Sequence, residues 1–226
     1  GAGVEAVDQH RGHEHGGRTG PGQGELVSQA DAFLEFNPRT NELKRRNSAG
    51  LTRRHSLGAV IVRPTSFSGI QIYAIGGYDS TSGSALPVNT VEQYDMVNDR
   101  WLTGASLPTA VAQFGITLAG GINTAEPRRL IHVVSGNTGS ESSPSLTNPN
   151  PIQRFQAEPI GPGSWTTFNP PGLTLRRNHG AATVLRGVTS RVFVIGGQDA
   201  AGTVLTSVEE YLAQAVALVN TPHTSL

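Results

Sequence analysis

One pattern, met three times, constrains this chain of 226 residues more than any other feature. Ile72-Tyr73-Ala74-Ile75-Gly76-Gly77 is an apolar run that stops at two glycines, and Val91-Glu92-Gln93-Tyr94-Asp95 and Trp101 follow it. The pattern returns as Val192-Phe193-Val194-Ile195-Gly196-Gly197 with Ser207-Val208-Glu209-Glu210-Tyr211. A worn copy lies between them: Leu130-Ile131-His132-Val133-Val134-Ser135-Gly136, then Ile152-Gln153-Arg154-Phe155 and Trp165. Self-similarity at such a period marks units that bury their faces only by stacking on one another.

Each unit reads as four short strands. A glycine-led run precedes each apolar run: Gly58-Ala59-Val60-Ile61-Val62, Gly115-Ile116-Thr117-Leu118 and Gly180-Ala181-Ala182-Thr183-Val184-Leu185. An aromatic residue is followed seven positions later by an apolar one, as Phe36 by Leu43, Tyr94 by Trp101 and Tyr211 by Leu218. Turn chemistry fills the gap, in Asn37-Pro38-Arg39-Thr40-Asn41 and in Met96–Asp99. The alanines between Val208 and Val219 favour a short helix, but alignment with the other units predicts strand. The expected organisation is a His-, Gly- and Arg-rich flexible arm over 1–29, a partial unit over 30–50, and full units over about 51–106, 107–172 and 173–226.

These residues resemble kelch repeats, the β-propeller units also found in the central domain of galactose oxidase. The resemblance runs over about residues 32–220. It implies an all-β, kelch-type propeller of about three and a half four-stranded blades, part of a larger propeller or one that a further chain completes. It assigns repeat-building roles to Gly76, Gly77, Tyr94, Trp101, Gly136, Phe155, Trp165, Gly196, Gly197 and Tyr211. It does not bring the oxidase reaction with it, since that radical copper site needs a cysteine cross-linked to tyrosine and this chain has no cysteine.

Formal net charge is zero, so no general attraction to nucleic acid is expected, and no run of about eighteen apolar residues predicts a membrane span. Lys44 is the only lysine. The Gly-, Ser-, Thr-, Asn- and Pro-rich composition suits a loop-rich β protein and leans toward an exported or cell-surface one of bacterial type.

Five residues are candidates for chemistry at one end of the repeats. Arg54 and His55 precede the first glycine-led strand, and Arg176, Arg177 and His179 precede the third. Two readings stay open for them: a basic rim for an acidic partner or carboxylated sugar, through bidentate arginine contacts, or a structural role bonding loop carbonyls or a neighbouring blade, which suits the histidines better. His10, His13 and His15 form a weak candidate site for Zn or Cu; no other cofactor is expected. The polar stretch from Asn137 to Pro151 is long enough to serve as a contact loop. No P-loop, GxSxG or HExxH motif occurs. The sequence thus favours a non-catalytic interaction scaffold binding a protein or glycan. Its rival is a sugar-active enzyme, an epimerase or lyase on acidic sugars, that gathers Arg54, His55, Arg176 and His179 about one pocket.

Overall fold

The computed structural model describes residues 33–62, 70–79, 81, 85–119, 130–156, 163–186, 189–213 and 217–218. The proposed arm and its histidines lie outside them. The chain is all-β, with no helix among the described residues. Its strands are β1 (Phe33–Asn37), β2 (Glu42–Arg46), β3 (Gly58–Val62), β4 (Gln71–Ile75), β5 (Tyr78–Asp79), β6 (Leu86–Pro87), β7 (Val91–Asp95), β8 (Arg100–Thr103), β9 (Gly115–Ala119), β10 (Leu130–Val134), β11 (Ile152–Gln156), β12 (Ser164–Phe168), β13 (Gly180–Arg186), β14 (Thr189–Ile195), β15 (Val208–Leu212) and β16 (Ala217–Leu218).

Three antiparallel sheets of four strands result, in the orders β3-β4-β7-β8, β9-β10-β11-β12 and β13-β14-β15-β16. Four-stranded antiparallel sheets in this sequential order are consistent with kelch-type blades. The hairpin β1-β2 is a sheet of its own, and β5-β6 is a short ribbon inside the first blade's loop. Register explains the sevenfold spacing. Phe36 faces Leu43, Tyr94 faces Trp101 and Tyr211 faces Leu218 directly across the strands. Asn41 and Asp99 turn the first two of these hairpins at φ 56° and 50°, the left-handed region that Asn and Asp tolerate best after glycine. The alanine-rich C-terminal segment is strand where it is described, β16 pairing with β15.

The cores lie between sheets. Phe33 meets Tyr94 and Trp101 edge-on, which packs the hairpin on the first blade. Tyr73, Ile75, Val91, Ile131, Val133 and Phe155 fill the space between blades one and two. Val134, Ile152, Val192, Val194 and Tyr211 fill that between two and three. Consequently β4 is buried on both faces, whereas β14 alternates between a buried and a more exposed face. All three blade-forming sheets start their first strand and end their second at the same end, and the glycine pairs and approach segments collect there.

Candidate interaction surface at the loop end of the blades

The approach segments carry the candidate rim arginines, and the structure gives Arg54 and Arg176 the structural role instead. Arg54 lies wholly inside its blade. Its guanidinium donates to the carbonyls of Gly76, Ala74 and Thr52 and to Glu92 Oε2 at 2.6 Å. Glu92 Oε1 in turn accepts from the backbone N–H of Thr52 at 2.8 Å. Arg176 repeats the arrangement, donating to the carbonyls of Thr174, Gly196 and Ser207 and to Glu209, which accepts from the N–H of Thr174. Burial pulls the Arg176 pKa down, and the Glu209 charge opposes it. These planar donors tie the approach segment to the end of the blade's second strand and, through the glutamate, to its third strand, a structural use of the fork. Neither can reach a ligand without leaving its blade.

The second blade does the same work without charge. Val111 stands where the arginines stand, and Gln153 replaces the glutamate, bonding both the N–H and the carbonyl of Thr109. His179 is also interior. It occupies the position of Leu57 and Phe114, accepts the N–H of Gly115 through Nε2 at 3.1 Å, and is pushed down to about 4 by burial and then by the Arg176 charge. It is therefore neutral at pH 7, and the rim loses three of its five predicted members. With them goes the convergence that the sugar-active reading required.

His55 and Arg177 remain near the surface, and the structure groups them with the polar stretch that begins at Asn137 and with Tyr78, Gln113 and Gln198, which the sequence did not single out. The position after each glycine pair holds Tyr78, Asn137 and Gln198, and these bridge to His55, Ala112 and Arg177 respectively. Tyr78 is buried, its hydroxyl held by Asn137 Nδ2 and near Gln113 Oε1 at 3.5 Å. Burial raises its pKa above the usual phenol value. Gln113 Oε1 also faces Arg177 Nη1 at 3.5 Å. His55 packs its ring on Tyr78 and places Nε2 3.6 Å from Glu141. One small area thus holds side chains from all three blades, with a guanidinium on one side and a carboxylate on the other.

The long polar segment supplies that carboxylate and is built around one residue. Asn137 Oδ1 accepts from the N–H groups of Gly139 and Ser145, and its Nδ2 reaches the carbonyl of Ser140. Thr138 Oγ1 donates to the Ser145 carbonyl, and Leu146 is buried beneath. The Glu141 N–H bonds the Ala85 carbonyl, docking the segment on the first blade. Its one sequence signal was position: Asn137 follows Ser-Gly as Tyr78 follows Gly-Gly.

Among the described residues no group of three or more His, Asp or Glu side chains could hold a metal ion, and no helix is long and apolar enough to cross a membrane. The Kelch motif family matches residues 68–108, the stretch from the second to the fourth strand of the first blade. No curated protein matches the chain.

Proposed function

We propose that this chain, a kelch-repeat protein by its motif at residues 68–108, is a non-catalytic interaction scaffold that binds a protein partner through the loop end of its blades. Kelch repeats serve generally as protein-interaction scaffolds. The observation that carries the reading is the convergence of three blades on Gln113 and Tyr78, flanked by Arg177 and by the Asn137-organised segment with Glu141. Side chains held by several elements offer a preorganised polar surface, which lowers the ordering cost of association. The buried blade interiors, with the Arg54–Glu92 and Arg176–Glu209 pairs, support it without touching the partner.

The test is charge reversal at the two flanks in the tagged full chain, expressed in its own cells. Arg177→Glu with Glu141→Arg should abolish co-purification of the wild-type partner while the unfolding midpoint stays within a few degrees. Retention of the same partner by the double variant would refute the reading.

A further inference from the structure

Arg54, Arg176 and Arg191 each meet a glutamate, namely Glu92, Glu209 and Glu210. Arg177 does not. It is half-buried, and among the described residues it has no carboxylate in ion-pair reach. Its Nη1 lies 3.5 Å from Gln113 Oε1, a long contact, and its Nε is buried without a hydrogen-bond partner among the described residues. A guanidinium withdrawn from water with donors unspent is costly unless something accepts from it. On the other flank the Glu141 carboxylate already faces His55 Nε2 at 3.6 Å. The unmatched charge of this area is therefore positive.

A chain of donors turns the Gln113 amide to the same purpose. Asn137 Oδ1 accepts from the N–H groups of Gly139 and Ser145, which fixes its Nδ2 as the group on the Tyr78 hydroxyl. That hydroxyl has its own proton to give, and Gln113 Oε1 lies 3.5 Å away. With Oε1 taken up by Tyr78 and Arg177, Gln113 Nε2 is directed away from both, and it has no hydrogen bond among the described residues. Both side chains stand on fixed backbone. The Gln113 N–H donates to the Ser56 carbonyl at 3.3 Å and its carbonyl accepts from Asn178 at 2.8 Å, with φ at 55°. Arg177 exchanges two backbone bonds with Gln198, each of 2.9 Å.

We infer that Arg177 and Gln113 form a binding site for one carboxylate of the partner protein, carried by an acidic side chain or by a chain terminus. The inference rests on the loop-end reading and names the chemistry of that surface. A carboxylate has two oxygens in one plane, so it accepts from the guanidinium edge and from the Gln113 amide together. A neutral carbonyl meets the amide but leaves the Arg177 charge unmatched. A basic group is repelled by the guanidinium and finds Glu141 already facing His55. Because Gln113 belongs to the second blade and Arg177 to the third, the site exists only where the two stack.

The test titrates the full chain into fluorescein-labelled peptides and follows anisotropy. The probes are a capped glutamate–glycine repeat, the capped glutamine–glycine repeat, and the glutamine–glycine repeat with a free C-terminal carboxylate. The first or the third should bind saturably, which tells a side chain from a terminus, and the capped glutamine peptide should bind about tenfold more weakly. This comparison needs no variant. Arg177→Gln should weaken the bound peptide about tenfold, and Arg177→Lys nearly as much, since an ammonium lacks the fork. Gln113→Leu should weaken it about threefold. Arg39→Gln removes an exposed charge on the first hairpin and should change binding less than about twofold. Equal binding of the capped glutamine peptide, equal losses from Arg177→Gln and Arg39→Gln, or no saturable binding overturns the inference. Tighter binding of trigalacturonate than of any peptide also overturns it, in favour of an acidic sugar. If the double flank variant still loses its native partner, such a result removes the carboxylate and leaves the loop end as the surface.

Discussion

Arg54 and Glu92 face each other at 2.6 Å with essentially no exposure of either side chain, 0% and 4%. The same pair recurs as Arg176 and Glu209 in the third blade and is absent, both members together, from the second. A buried guanidinium without its carboxylate leaves an uncompensated charge, which costs more than the pair contributes. The neutral combination Val111 with Gln153 satisfies the same threonine backbone without that liability. Arg54→Val alone should therefore lower stability by about 3–5 kcal/mol. Arg54→Val with Glu92→Gln should recover most of the loss. Urea unfolding of the two single variants and the double one measures the coupling.

The left-handed serine makes a second test. Ser135 has φ 54° where Gly76 and Gly196 have 57° and 62°. Its Oγ accepts the N–H of Arg176 at 2.8 Å, which offsets the strain. Ser135→Ala keeps the strain and loses the bond, and should cost about 1–2 kcal/mol. Ser135→Gly relieves the strain while losing the bond, so its net effect should be smaller than that of the alanine variant. Thermal unfolding of both ranks them.

Two glycines separate crowding from backbone strain. At Gly77 an added Cβ would lie 2.6 Å from the His55 carbonyl oxygen, and φ is 97°. At Gly202 φ is 84°, but nothing lies within 4 Å of the added atom. Gly202→Ala should cost about 1–2 kcal/mol from conformation alone. Gly77→Ala should cost clearly more and slow refolding yields, since the rigid backbone of the approach segment must give way. Chemical denaturation of the two variants checks the order.

Acid should weaken the fold through its buried imidazoles. His132 lies wholly buried between blades two and three, with Nδ1 2.9 Å from the Tyr211 hydroxyl. Burial, then the Arg154 charge, pushes it down to about 3, and His179 is held at about 4. The unfolded chain titrates both near 6.5. Above that value neither state is protonated and the stabilisation is complete. As pH falls below it the unfolded chain takes up protons that the folded one refuses, so stability drops until the folded values are reached. The limiting slope is about 1.4 kcal/mol per pH unit for each imidazole. His179→Phe, which installs the residue of the second blade, should flatten the profile between pH 6.5 and 4. It should also cost about 1 kcal/mol at pH 7 for the lost Gly115 bond. Urea midpoints across pH measure both.

The architecture was legible because it rests on periodic features that have one physical use. Apolar runs ending in glycine make strands that turn sharply, and the spacing from Tyr94 to Trp101 is the register of a hairpin. The site was less legible because arginine near a loop reads alike whether it is exposed or spends its donors on carbonyls. The distinguishing sign lay in the repeat itself. Arg54 and Arg176 come with Glu92 and Glu209 and vanish with them at Val111 and Gln153, as structural partners do. The structural role favoured for the histidine at 179 agrees with its burial, and alignment with Leu57 and Phe114 marks that position as interior. Tyr78 and Gln113 escaped because each looks ordinary alone, and their meeting with Asn137 depends on how three blades stack.

The loop end of the blades is the proposed working surface. Amide hydrogen exchange on the chain bound to the partner it captures, compared with the isolated chain, is the decisive measurement. The account predicts added protection over 138–147 and at Arg177 and Gln198 in the bound state. Identical exchange of those amides in the two states would contradict it.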